Sequence, residues 1–329
     1  MRVEDIDTEN MKGVLERFSD MCRQASKLGG DIKIEGEVDN IVVAGMGGSG
    51  ISGDILKNYL SEDGIRVYVN KDYKLPDFVN KKSLVFVISY SGNTEETIAS
   101  YQDAIKKQAH IVVMCSGGRL DGMAKSSRIN RIKIPDDIPQ PRLAVPYLFF
   151  PMLTVLQNNK IIKNKEQEII STIEVLKKKN FKEMAEELAP KLVNKTPIIY
   201  SSQRYASVAN RWKTDINENA KIHAFYNIYP EFNHNEINGY VNKVGDFYVI
   251  IIRDNDEHYR IRKRINATKA LIKRKGTSVT EMVIRGDSYL TKLLSAIYIG
   301  EWVGYFLAIE YETDPSPVDI IEDLKKQLK

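Results

Sequence analysis

What most constrains this chain is a rhythm that occurs twice. A short, uninterrupted apolar run is followed by an amphipathic helical stretch, and then by another apolar run. Residues 40–44 (NIVVA), 65–69, 83–88 (SLVFVI) and 110–114 (HIVVM) read as strands, with helices over 51–60 and 95–107. Apolar runs without polar alternation, separated by helices, mark parallel strands covered on both faces. The pattern restarts with strands at 197–200, 222–225, 247–252 and 278–283 and helices at 204–217 and 261–273. A leading helix over 11–27, a helical bridge from 146 to 193, a long helix over 289–309 and a last helix over 318–328 complete the plan. The expected fold is α/β, with two doubly wound parallel sheets, a helical bridge and a C-terminal helix. The expected domains are residues 1–160 and 161–329, since 329 residues exceed one ordinary compact core.

Composition removes several classes. With 43% hydrophobic and 28% charged residues the chain is globular rather than disordered. Cys22 and Cys115 lack spaced partners, which argues against a disulfide scaffold and fits a reducing cytoplasm. No apolar signal core precedes residue 11, and no run is expected to span a bilayer. The basic stretches 260–264 and 269–275 raise the question of nucleic acid. Without interleaved aromatics they read as a solvated helix, and no nucleic-acid partner is expected.

Two loops carry chemistry. Gly45-Met46-Gly47-Gly48-Ser49-Gly50 follows the first strand and opens a helix. Glycines let backbone approach an anion, and a helix N-terminus offers free N–H groups. The segment also fits GxGxxG, and Asp72 after the second strand keeps a dinucleotide reading open. The third strand runs into Ser89-Tyr90-Ser91-Gly92-Asn93-Thr94 before Glu95 and Glu96. One hydroxyl would suffice to cap that helix. Three, beside a second loop at a neighbouring strand end, favour a phosphomonoester held by Gly47, Gly48, Ser49, Ser89, Ser91 and Thr94. The corresponding position in the second half, Ser201-Ser202-Gln203-Arg204-Tyr205-Ala206, has no glycines, so one phosphate site per chain is expected.

The two loops together resemble the sugar isomerase (SIS) domain. Along nearly its whole length the chain is similar to the bifunctional phosphoglucose/phosphomannose isomerases, which have two such domains. The matching stretches are Pro141-Arg142-Leu143-Ala144, Asn217-Glu218-Asn219-Ala220-Lys221, Asn233-His234-Asn235-Glu236 and the segment from Val318 to Lys325. The resemblance implies metal-independent interconversion of glucose 6-phosphate, and mannose 6-phosphate, with fructose 6-phosphate through an enediol. It makes Glu218 the proton-transfer base and assigns ring opening to His234, reaching the site from the partner in a homodimer. Lys325 acts at the ring oxygen or hydroxyls, and Arg142 stabilises the enediolate. No cofactor is implied, and the absence of HxH or HExxH spacing argues against zinc. From the residues alone, an acid such as Glu218 at a helix C-terminus opposes the macrodipole, and a retained one has another use. An apolar stripe of Val318, Ile321, Leu324 and Leu328 is expected to face the core beside Lys325. A non-catalytic sugar-phosphate sensor on the same fold remains the alternative. The isomerase half of an amidotransferase is disfavoured by the start Met1-Arg2-Val3.

Overall fold

The computed structural model describes residues 3–178 and 180–328. The chain divides into two compact units. One is Arg17–Lys177 with Ser288–Thr291; the other holds residues up to Glu16, Lys178–Asp287, and the chain from Lys292 onward.

The first of these contains a five-stranded sheet: β1 (Asn40–Ala44), β2 (Val67–Asn70), β3 (Ser83–Ile88), β4 (His110–Cys115) and β5 (Asn130–Lys133). All pairings are parallel and the order is β2-β1-β3-β4-β5. Every residue of β3 is buried, as its unbroken apolar run requires of a strand covered on both faces. One face packs Val42, Val85, Val87 and Val113 under Ile98, Tyr101 and Leu120. β5 lay unrecognised in the sequence. It is an edge strand with one buried side chain, Ile132, between Arg131 and Lys133, and so lacks the apolar run that marks its neighbours.

The helix after β1, Gly47–Ser61, begins four residues earlier than the apolar spacing indicated. Interior glycines weaken a helix by roughly 1 kcal/mol each relative to alanine. Here they have a steric reason. A Cβ on Gly53 would lie 2.8 Å from Val43 Cγ1, and one on Gly50 would lie 2.6 Å from the Gly45 carbonyl. The helix is docked on the sheet at backbone distance.

The other unit repeats the plan with β6 (Thr196–Ser202), β7 (Phe225–Tyr229), β8 (Phe247–Arg253) and β9 (Ser278–Val283), parallel in the order β7-β6-β8-β9. β7 starts three residues later than expected. It is an edge strand whose Phe225 and Tyr226 are exposed, so burial did not write its position. The leading helix is two helices, Met11–Glu16 and Phe18–Ala25, broken at Arg17, where one unit gives way to the next. Tyr289–Glu310 is long and apolar enough to cross a bilayer, contrary to the expectation that no run would be. Of its most apolar stretch, 83% is buried inside the protein, as in a core helix.

Candidate functional site

In an open parallel sheet, ligands bind outside the carboxyl ends of the strands where the order reverses. In the five-stranded sheet that point lies between β1 and β3, which pair Ala44 with Val87. Both loops singled out in the sequence leave these two strand ends. They run side by side, since a Cβ on Gly45 would lie 2.9 Å from the Ile88 carbonyl.

After β1, the first turn of Gly47–Ser61 presents the N–H groups of Gly47 and Gly48, which precede the first helical acceptor, while the Ser49 N–H donates to the Met46 carbonyl at 3.0 Å. Ser49 is buried in that turn. After β3, the hydroxyls bond to one another and to their own backbone. Ser89 Oγ lies 2.8 Å from Thr94 Oγ1 and accepts from the N–H groups of Gly92 at 3.1 Å and Thr94 at 3.4 Å. Ser91 is exposed and its Oγ accepts from the Asn93 N–H at 3.3 Å. Thr94 occupies the N-cap position of Glu95–Lys106, yet its side chain makes no capping bond, so capping does not account for the hydroxyls. The turn after β4 braces this loop. Ser116 donates to the Tyr90 carbonyl through both its N–H (2.8 Å) and its Oγ (2.7 Å). The Leu120 N–H reaches the Gly92 carbonyl at 2.9 Å, and the Arg119 N–H reaches Asn93 Oδ1 at 3.0 Å. Gly92 sits at φ +70°, where a Cβ would lie 1.8 Å from the Gly117 carbonyl oxygen, so only glycine fits.

Arg142 joins the same strand ends. It lies in a 3-10 turn, Pro141–Ala144, whose backbone presses on Gly48: a Cβ there would be 3.1 Å from Arg142 Cα. The residue is 3% exposed and Nη1 donates to Gln140 Oε1 at 3.2 Å. Gly47, Gly48, Ser49, Ser89, Ser91, Thr94 and Arg142 thus gather in one unit.

Glu218, His234 and Lys325 belong to the other unit. Glu218 is half-buried in the last turn of Ala206–Asn219, a helix of the expected length set two residues later than 204–217. It shares a face with Arg211 and Asp215, at spacings of three and four residues. Arg211 Nη2 lies 2.9 Å from Asp215 Oδ1 and 3.0 Å from Glu301 Oε1, with all three side chains 1% exposed. Burial pulls the Arg211 cation down, but the charges of Asp215, Glu301 and Glu218 outweigh it and hold the guanidinium protonated. Burial also pushes the Glu301 carboxyl up to about 7, against the pull of Arg211. Sequence reasoning missed this triad; the i, i+4 pairing of Arg211 with Asp215 was its one legible trace.

Lys221, at φ +59°, resolves the electrostatic objection to an acid at this helix end. Its ammonium donates to the carbonyls of Glu218 at 2.8 Å and Asn219 at 3.2 Å. It also reaches the carbonyls of Asp314 at 3.0 Å and Pro315 at 3.3 Å, tying the helix end to the segment before the last helix. Among the described residues, no hydrogen bond or ion pair joins Glu218, His234 and Lys325 to one another.

His234 is exposed at the end of a 3-10 turn, Glu231–His234. The flanking polar residues bond elsewhere. Asn233 donates to Thr268 Oγ1 (3.0 Å) and Asn235 to Glu231 (2.9 Å), while Glu236 accepts from Tyr200 and Asn227, both at 2.6 Å. Lys325 is exposed and paired with Glu322 at 2.6 Å. The expected core-facing stripe is also corrected, because Asp319–Gln327 buries no residue and Leu324 and Leu328 are 55% and 71% exposed. A helical apolar period shows that a face exists, not what covers it.

The reversal point of the second sheet, between β6 and β8, is filled rather than open. Asp254, wholly buried, accepts from the Tyr205 hydroxyl at 2.5 Å and lies 3.4 Å from Lys292 Nζ. Glu257 is 5% exposed beside it. Burial, with the neighbouring Asp254 charge, pushes its carboxyl up to about 7 against Ser202, Arg253 and Arg204.

Glycine- and hydroxyl-rich loops at adjacent strand ends in one α/β unit, and a glycine-free counterpart in the other, define a protein with paired sugar isomerase folds. Two family models agree: the SIS domain matches residues 37–139, and the bacterial phospho-glucose isomerase C-terminal SIS domain matches residues 181–328. A bifunctional phosphoglucose/phosphomannose isomerase of Caldicellulosiruptor bescii is 38% identical over 91% of each chain. One of Thermoplasma acidophilum is 40% identical over 89% of this chain and 91% of its own. The chain belongs to the bifunctional phosphoglucose/phosphomannose isomerase family. A D-glucosamine-6-phosphate 4-epimerase of Sulfolobus acidocaldarius, 32% identical over 75% of this chain and 78% of its own, is a further relative. Among solved structures, a hypothetical protein of Thermus thermophilus superposes with a TM-score of 0.74 at 15% identity, covering 99% of this chain and 94% of that one. At that identity the likeness speaks for the fold alone.

Proposed function

We propose that the chain interconverts glucose 6-phosphate and mannose 6-phosphate with fructose 6-phosphate, without a metal. The observation that carries the reading is the pair of glycine- and hydroxyl-rich loops lying side by side at the β1/β3 strand ends. In the first sheet, N–H groups from Gly47 and Gly48 and the hydroxyls of Ser49, Ser89, Ser91 and Thr94 hold the phosphate and leave the sugar carbons outside the cradle. His234 and Lys325 open the ring by moving a proton between the ring oxygen and the C1 hydroxyl. The Glu218 carboxylate then takes the C2 proton of the aldose, giving an enediolate whose negative oxygen faces Arg142. Returning the proton to C1, with a proton moving from O2 to O1, yields the ketose. The names of the relatives support this reaction and substrate class.

A homodimer goes with this reading. His234 is exposed, and the last helix carries Ile320, Leu324 and Leu328 uncovered. A second copy would cover that face and receive the histidine. Cys22 and Cys115, both buried and neither in a disulfide, fit a cytoplasmic protein.

The test is Glu218→Gln, assayed with fructose 6-phosphate in a coupled assay with chelator present. Turnover is expected to fall by ~10²–10⁴-fold, with calorimetric binding of the sugar phosphate retained. Wild-type turnover in the variant would refute the mechanism. Sugar-phosphate binding by a wild-type protein that yields no product would mark a sensor instead.

A further inference from the structure

The helix Tyr259–Arg274 stands apart in charge. It carries Arg260, Arg262, Lys263, Arg264, Lys269, Lys273 and Arg274 and not one acid. The remainder of the chain is therefore slightly acidic, although the whole is +4. Four of these cations fall in the first six residues, at the positive end of the macrodipole. That placement is unfavourable within the first turn, and no acid there offsets it.

The acids nearby are already committed. Asp254 faces Tyr205 and Lys292, Asp256 pairs with Lys292, and Glu281 takes Lys269 and Arg253. Among the described residues, no carboxylate lies within ion-pair distance of Arg260, Lys263, Arg264, Lys273 or Arg274. The helix turns Ile265, Thr268 and Ile272 into the core. At helical spacing Arg260, Lys263, Ala267, Ala270 and Arg274 share the opposite stripe, and all five are exposed. That stripe runs about 21 Å along the axis. The apolar face is spent on the fold, so the helix cannot lay it into a lipid surface. What fits is a linear polyanion approaching from outside.

Two features narrow the class. Most of these cations are arginines, whose planar fork matches phosphate oxygens. At the start of the helix Tyr259 is 63% exposed, its ring 4.7 Å from that of His258. An exposed aromatic pair beside Arg260 is a stacking surface for an unpaired base. An acidic peptide would leave it idle, and a duplex would keep its bases inside. The residue spacing alone gave no sign that the tyrosine faces solvent or that Arg260, Lys263 and Arg274 lie apart from any carboxylate among the described residues.

We propose that the exposed stripe Arg260, Lys263 and Arg274, with Tyr259 at its end, binds single-stranded nucleic acid, phosphates on the cations and one base on the tyrosine. The test is fluorescence anisotropy of the full chain with a labelled 12-nucleotide single-stranded RNA between 50 and 200 mM KCl. With three or four phosphates neutralised, log K is expected to fall with log salt at a slope of about −2 to −3. The triple reversal Arg260→Glu, Lys263→Glu, Arg274→Glu abolishes binding and leaves isomerisation of fructose 6-phosphate unchanged. Tyr259→Ala weakens binding about tenfold with the salt slope intact. Absence of binding at 50 mM KCl overturns the proposal. So does equal competition by polyglutamate, and so does a Tyr259→Ala variant that binds as well as the wild type.

Discussion

Glu257 gives the sharpest physical prediction. Its carboxyl is 5% exposed and moved from an ordinary 4.5 up to about 7 by burial and by the Asp254 charge beside it. Because the folded state holds the proton more tightly, the sign is fixed. Below pH 4.5 both states are protonated and nothing is lost. As pH rises toward 7 the unfolded chain ionises first and stability falls, then levels off. At about 1.4 kcal/mol per decade of proton affinity the full loss is about 3 kcal/mol, of which about 2.5 kcal/mol falls between pH 5 and 8. Glu257→Gln keeps the shape and removes the proton. Urea unfolding followed by tryptophan fluorescence is the assay, since Trp212 and Trp302 both lie in the unit that contains Glu257. With an m-value of about 2 kcal/mol/M, the variant's midpoint should gain about 1 M on the wild type between pH 5 and pH 8. Parallel curves across that range would refute the reasoning, because a carboxyl that ionises alike in both states cannot couple folding to pH.

Further outcomes follow from the packing. Gly92→Ala forces a Cβ onto the Gly117 carbonyl at positive φ, so the first unit should lose more than about 2 kcal/mol and KM for the sugar phosphate should rise, read by thermal melt and steady-state kinetics. Arg211→Met strands Asp215 and Glu301 in the core and should cost about 3–5 kcal/mol, while the triple variant Arg211→Met, Asp215→Leu, Glu301→Leu recovers most of it in the same urea experiment. On the dimer proposed above, Ile320→Glu with Leu324→Glu should shift sedimentation from dimer to monomer mass; a monomeric wild type, or a dimer that persists in the variant, would refute that interface.

The central strands were legible because burial on both faces leaves an apolar run, as in β3 and β8. The edges were not. β5 carries a single buried isoleucine and β7 exposes two aromatics, so neither shows the period that marks a core strand. The cradle was legible for a different reason: glycines and hydroxyls are demanded by backbone geometry within a few residues of one another. The charged triad under Glu218 was not, because Glu301 lies ninety residues from Arg211 and no local pattern links them. Equally hidden was Lys221, whose role depends on the distant carbonyls of Asp314 and Pro315.

The turn after β4 grips the hydroxyl loop through backbone bonds to Tyr90 and Gly92, and Gly92 leaves no slack against Gly117. The cradle is therefore a finished mould before any ligand arrives. On the reading proposed above, little of the binding energy for a phosphate is spent on ordering it.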